Sequence, residues 1–192
     1  MRFQETKLEG AWVIHPTRFE DDRGHFARTF CREEFAGRGL DVDYPQANLS
    51  FNLRRGTLRG LHLQLPPHEE GKLVRCSRGA IWDVIVDLRP GSETEGQWTA
   101  VELSAENGVQ LFVPRGFAHG FLTLRDDTEV SYLMSAVYAP QAGHGYRYDD
   151  PTFAIDWPEK ITVVSDKDRE LPVYDRELHR ELVMISGAGD PS

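Results

Sequence analysis

Residues 80–88 read Ala-Ile-Trp-Asp-Val-Ile-Val-Asp-Leu, and their alternation decides the fold class. One face carries Ala80, Trp82, Val84, Val86 and Leu88; the other carries Ile81, Asp83, Ile85 and Asp87. A period of two over such a run is that of a half-buried strand. Residues 129–138 repeat it, with Val130, Tyr132, Met134, Ala136 and Tyr138 on one side. Outward from these two, shorter strand patterns run over 46–53, 56–64, 72–77, 99–103, 110–113 and 120–124. Turn residues punctuate them at Arg55-Gly56, Pro66-Pro67, Pro90-Gly91, Glu106-Asn107-Gly108 and Asp126-Asp127. Many short strands at close spacing predict an all-β sandwich or barrel, not a parallel α/β sheet. Helical patterns are confined to about 32–38 and 175–182. Residues 1–192 fit one domain, with no repeat or linker, and the tail after about residue 175 is expected to be loosely held.

The bulk composition narrows the function classes. Hydrophobic residues make up 40% and charged residues 28%, as in ordinary globular proteins. No apolar run approaches the roughly 18–20 residues needed to span a bilayer. The first ten residues lack the apolar core of a secretory signal, so the cytoplasm is the expected location. Cys31 and Cys76 are unpatterned and read as reduced thiols. A net charge of −9 argues against nucleic acid or a membrane surface as partner. The charge is uneven, however. Residues 51–80 hold Arg54, Arg55, Arg59, Lys72, Arg75 and Arg78 against Glu69 and Glu70, a local +4 suited either to a solvated strand face or to a phosphate group.

Two segments carry candidate chemistry. The first runs from Gly56 through Arg59 and His62 to Gln64, followed by His68-Glu69-Glu70-Gly71-Lys72; the second runs from Gly108 through Pro114 and Gly116 to His119-Gly120. Together they resemble the paired motifs of the cupin superfamily, which implies a double-stranded β-helix, or jelly-roll barrel, with a few short helices. Metal-binding cupins carry a His-x-His pair in the first motif, and here the second position is Gln64. His62, Glu69 or Glu70, and His119 would still offer iron or zinc two nitrogens and an oxygen. The broken pair favours a metal-free site, and no cofactor is implied. A histidine alone on a strand is more often structural than catalytic. On strict alternation, though, His62 shares its face with Leu58, Gly60 and Gln64, and Lys72, Tyr132 and His119 lie on strands that would line the same interior. An interior so polar exceeds the needs of a core.

Ten elements then follow in order. They are Asp21-Asp-Arg23-Gly24, Leu58-Arg-Gly-Leu-His62, Gly71-Lys-Leu-Val-Arg-Cys76, Gly96-Gln-Trp98, Val101 to Asn107, Gly116-Phe-Ala-His-Gly-Phe121, Tyr138-Ala-Pro140, Asp149-Asp-Pro151, Ile155-Asp-Trp-Pro158 and Ser165-Asp-Lys-Asp168. The series resembles the dTDP-4-dehydrorhamnose 3,5-epimerase family over about residues 3–172. That resemblance implies a homodimeric isomerase acting on a dTDP-linked 4-keto-6-deoxyhexose. It implies His62 as base, Asp168 as its orienting carboxylate (Asp166 if the register slips), Lys72 beside the enolate and Tyr132 as opposite-face donor. It also implies substrate contacts at Arg23, Gln46, Asn48, Arg59, His119 and Lys167.

Four positions depart from the family pattern: Arg28 and Gly143 replace glutamates, Leu133 replaces a lysine, and Leu63 replaces a tyrosine. They leave the exact sugar open, and with it a single-centre 3- or 5-epimerase, a related ketoisomerase and a non-catalytic cupin. Arg59 poses a separate difficulty. It lies three residues from His62, so strict alternation puts the two on opposite faces unless Gly60 permits a bulge or Arg59 serves a neighbouring subunit.

Overall fold

The structure, a computed structural model, describes residues 1–188. In chain order the strands begin with β1 (Arg2–Glu5), β2 (Trp12–His15), β3 (Arg18–Asp21) and β4 (Gly24–Ala27), followed by the short helix α1 (Arg32–Ala36). Next come β5 (Gln46–Asn52), β6 (Leu58–Gln64), β7 (Lys72–Arg78), β8 (Ala80–Asp87) and β9 (Trp98–Ser104). β10 (Gln110–Val113), β11 (Phe117–Thr123), β12 (Thr128–Met134) and β13 (Gly143–Gly145) complete the sheets, and α2 (Asp166–Arg169) and α3 (Arg176–Gly187) end the chain. All strand pairs are antiparallel. One sheet has the order β1-β2-β10-β7-β12-β5, the other β13-β6-β11-β8-β9, and β3–β4 stand apart as a hairpin.

The two large sheets face each other across the main core. Val74, Cys76, Leu111, Val113 and Val130 from the first meet Ile81, Ile85, Leu103, Phe117 and Phe121 from the second. This is the all-β architecture expected from the alternating strands, in the form of the cupin-like jelly roll that the motif resemblance implies. The strands of two facing sheets each contribute their inward residues to one interior. The N-terminal strands of four residues each are too short to announce themselves by period alone.

Strand β8 departs from expectation. The alternation marks it as half-buried, yet nearly every residue in it is buried. The face bearing Ile81, Asp83 and Ile85 points into the barrel, whereas Val86 and Leu88 point away from it, into a second apolar cluster with Leu61, Leu63, Tyr146, Phe153 and Tyr174. That outer cluster also corrects the loosely held tail. Helix α3 packs Leu182 and Val183 against it and buries His179 almost completely. His179 Nε2 donates to the Leu88 carbonyl at 2.9 Å, so its Nδ1 accepts from the Tyr146 hydroxyl at 2.7 Å. Asp175 caps the helix by accepting from the Leu178 N–H. An apolar outer face on a barrel strand needs a cover, and each large side chain it buries contributes roughly 1.5–3 kcal/mol. Among the described residues, no helix is long and apolar enough to cross a membrane.

Candidate active site

At one end of the barrel the interior turns polar and opens as a cavity of about 310 Å³. Its lining includes Asn48, Arg59, His62, Lys72, His119 and Tyr132. Six of the ten expected site residues therefore meet in one place, drawn from β5, β6, β7, β11 and β12. The presence of Arg59 beside His62 resolves the face problem. On the β6–β11 ladder, His119 pairs with His62 and Phe121 with Arg59, so two residues of β11 span three of β6. The extra residue is a bulge, and Gly60 makes it possible with a φ of +123°. A Cβ there would lie 2.6 Å from the Gly120 Cα, so no larger residue fits.

Helix α2 delivers the seventh. Ser165 caps it by accepting from the Asp168 N–H at 3.1 Å, which turns the Asp168 side chain inward. Asp168 Oδ1 then lies 2.7 Å from His62 Nε2, and its Oδ2 accepts the Gly60 N–H at 3.3 Å. Burial opposes the charge on Asp168, but the bonds from His62 and Gly60 outweigh it and hold the carboxyl below its usual range. An ionised Asp168 fixes the proton on Nε2, leaving Nδ1 of the half-exposed imidazole as the proton acceptor.

Its neighbour across the strand ladder is arranged differently. His119 Nε2 also meets a carboxylate at 2.7 Å, that of Asp83 on β8, but both groups are enclosed. Burial pushes Asp83 up, and its Oδ2 has no hydrogen-bond partner among the described residues. The His119 ring stands edge-on to Tyr132, with centroids 6.1 Å apart. Burial, and then the nearby Asp83, push the Tyr132 phenol well above its ordinary value, so it stays protonated. Lys72 Nζ meets Glu70 Oε1 at 2.7 Å, and Arg59 Nε donates to Asn52 Oδ1 at 2.8 Å.

Besides Asp168, which reaches the cavity only through His62, three expected residues do not line it. Arg23 sits on the β3–β4 hairpin, exposed and paired with Asp21 at 2.6 Å. Gln46 begins β5 and accepts the Tyr138 N–H at 2.6 Å. Lys167 is exposed on α2, next to Asp168. The departures lie to one side as well. Leu133 packs on the opposite face of β12, Arg28 pairs with Glu34 at 3.7 Å, and Gly143 lies beside Pro140 and Tyr138. The strand pattern gives Asp83 a face on β8 but no partner, so it is absent from the expected site residues. Glu70 was weighed only as a metal ligand, but it faces Lys72 and Gln64. Among the described residues no three His, Cys, Asp or Glu side chains cluster as a metal-binding group.

A family profile described as dTDP-4-dehydrorhamnose 3,5-epimerase matches residues 5–176. The chain is 47% identical over 173 residues to a dTDP-4-dehydrorhamnose 3,5-epimerase of Sinorhizobium fredii, covering 90% of this chain and 89% of that one. It superimposes with a TM-score of 0.85, at 37% identity, on a dTDP-6-deoxy-D-glucose-3,5-epimerase from Legionella pneumophila in complex with dTDP-4-keto-L-rhamnose, covering 92% of this chain and 96% of that one. A 3′-monoepimerase from Streptomyces bikiniensis in complex with dTDP-quinovose gives 0.80 at 34% identity, over 93% and 98% of the two chains.

Proposed function

The chain belongs to the dTDP-4-dehydrorhamnose 3,5-epimerase family, and on that premise we propose that it converts dTDP-4-dehydro-6-deoxy-D-glucose to dTDP-4-dehydro-L-rhamnose. The observation that carries this reading is the placement of a base and a phenol on opposite sheets, His62 on β6 and Tyr132 on β12, around one cavity that also holds Lys72. C3 and C5 both flank the C4 ketone, so losing either proton leaves a carbanion delocalised onto O4. His62 Nδ1 takes the proton, and Asp168 balances the imidazolium that results. The Lys72 ammonium faces the enolate oxygen. Tyr132, kept protonated by its burial, returns a proton to the carbon from the opposite side, which inverts the centre. Arg59, Asn48 and His119 hold the diphosphate and the sugar.

Inversion at C3 alone is the second reading, favoured by the likeness to the 3′-monoepimerase. Incubation with dTDP-4-keto-6-deoxyglucose in deuterated water, followed by NMR, separates the two. Deuterium entering at C3 and C5 supports the first, entry at C3 alone supports the second, and entry at neither refutes both.

The working unit in this proposal is a homodimer. Phe19 and Phe26 on the β3–β4 hairpin are 64% and 72% exposed, and Leu49 on the β5 edge is 60% exposed. Unpaired strand edges and exposed aromatic side chains of this kind ask for a partner surface. In this arrangement the hairpin carries Arg23 to the partner's cavity, since it does not line its own. Sedimentation is expected to give a two-chain mass. Phe26→Asp is expected to shift it toward one chain and to raise KM; a wild-type monomer with full activity refutes the dimer.

A further inference from the structure

Glu70 and Lys72 form an ion pair at 2.7 Å, with side chains only 8% and 7% exposed. Taking two charges out of water is costly, and an apolar pair of similar volume is often as stable. Stability alone therefore does not account for the pair. Its position gives another reason. A lysine ammonium sits on a flexible four-carbon stem and has three donors, so it is a point charge that needs fixing in place. Glu70 engages one of those donors, and Lys72 lines the cavity that holds His62 and Tyr132.

The carboxylate is itself anchored. Its Oε2 accepts from Gln64 Nε2 at 3.1 Å; that same nitrogen donates to the His68 carbonyl at 2.9 Å, while Gln64 Oε1 accepts the Ala139 N–H at 2.6 Å. Between the two charged residues stands Gly71, whose N–H donates to Ser135 Oγ at 2.7 Å and whose carbonyl accepts the Ser135 N–H at 2.9 Å. A Cβ at Gly71 would come within 2.3 Å of an Asp41 carboxylate oxygen. The linking residue is thus pinned to β12's C-terminal continuation, and Glu70 and Lys72 keep a fixed relation across it.

We infer that Glu70 is a positioning residue of the reaction, holding the Lys72 ammonium where the enolate oxygen forms, with Gln64 as its anchor. This role rests on Lys72 serving the enolate, as proposed above. It acts as charge develops on O4, so its loss falls on kcat and spares KM.

A double-mutant cycle tests it, using deuterium entry into dTDP-4-keto-6-deoxyglucose as the rate and a thermal melt to verify folding. Lys72→Met is expected to slow exchange about a hundredfold. Glu70→Gln is expected to lower kcat about tenfold, with KM within about twofold. In the Lys72→Met background, Glu70→Gln is expected to cost nothing further. A Glu70→Gln penalty of equal size in both backgrounds, a penalty confined to KM, or an unchanged kcat overturns the positioning role while leaving Lys72 its task. A Lys72→Met protein exchanging at the wild-type rate overturns the enolate role itself, and this inference with it. Gln64→Leu leaves both charges in place and removes the anchor, so it serves if Glu70→Gln melts early. Its expected signature is the same loss in kcat with KM unchanged, and full activity overturns the inference.

Discussion

The two histidine–aspartate pairs use the same groups at the same 2.7 Å, on histidines that face each other across one strand ladder, yet they are built for different ends. Asp168 comes from a helix outside the sheets, receives bonds from both His62 and the Gly60 N–H, and is held ionised. Asp83 lies on a barrel strand, is bonded on one oxygen only among the described residues, and is pushed toward its neutral form by burial. The His62 side chain is 45% exposed to the cavity, that of His119 only 6%. Distance within a pair therefore says little about its task. What separates the two is access to the cavity on one side and a charged, well-bonded carboxylate on the other, the combination the proposed mechanism asks of a base.

The comparison breaks most visibly at the histidines. His62→Ala is expected to slow deuterium exchange by about a thousandfold or more, and His119→Ala by about tenfold. Equal losses would mean that both pairs move protons. The aspartates should follow with smaller effects. Asp168→Asn removes the charge that sets the imidazole tautomer and is expected to cost about a hundredfold in kcat, whereas Asp83→Asn, which keeps an acceptor for His119, is expected to cost less than about tenfold.

Stability sharpens the contrast with opposite signs. A carboxyl whose folded pKa is depressed, as in Asp168, contributes stability that is present above its unfolded value and lost as pH falls through the lower folded one. Asp168→Asn should thus lower Tm at pH 7 by about 2–4 °C, as for about 1 kcal/mol in a chain of this size, with the gap closing below the ordinary aspartate pKa. Asp83 is raised, so its folded form binds the proton more tightly and stability declines as pH climbs through its folded pKa. Asp83→Asn should leave Tm at pH 7 level or slightly higher. Thermal melts of both variants from acid to neutral pH check the signs, and parallel curves would remove the distinction.

How much of this was legible in the sequence depended on whether the signal was periodic. Strands β5 to β12 follow from alternation, and β10 matches residue for residue at Gln110–Val113. Alternation shows that two faces differ, not which is inside. Asp83 and Asp87 share a face with Ile81 and Ile85, and both are buried, Asp87 under Arg89, Ser92 and Thr94. His62, Lys72 and Tyr132 line one cavity, and each sits on a strand whose neighbours carry the pattern. Arg59 joined them only through a bulge, a break in period for which Gly60 was the one visible sign. The pairing of Glu70 with Lys72 is not legible because its partners come from residue 64 and residue 72, on either side of a loop whose path no pattern describes. Arg23 and Lys167 matched the family pattern but lie away from the cavity of their own chain.

Docking of α3 onto the outer face of β8 also sets a schedule for synthesis. The outer face around Val86 and Leu88 is covered in part by Leu182 and Val183, and Leu88 precedes Val183 by 95 residues. At translation rates of roughly 5–20 residues per second that interval lasts about 5–20 s. A nascent chain therefore leaves part of the apolar outer face of β8, the strand that holds Asp83 against His119, uncovered until α3 is made, and a chain ended before α3 would keep that gap for its lifetime.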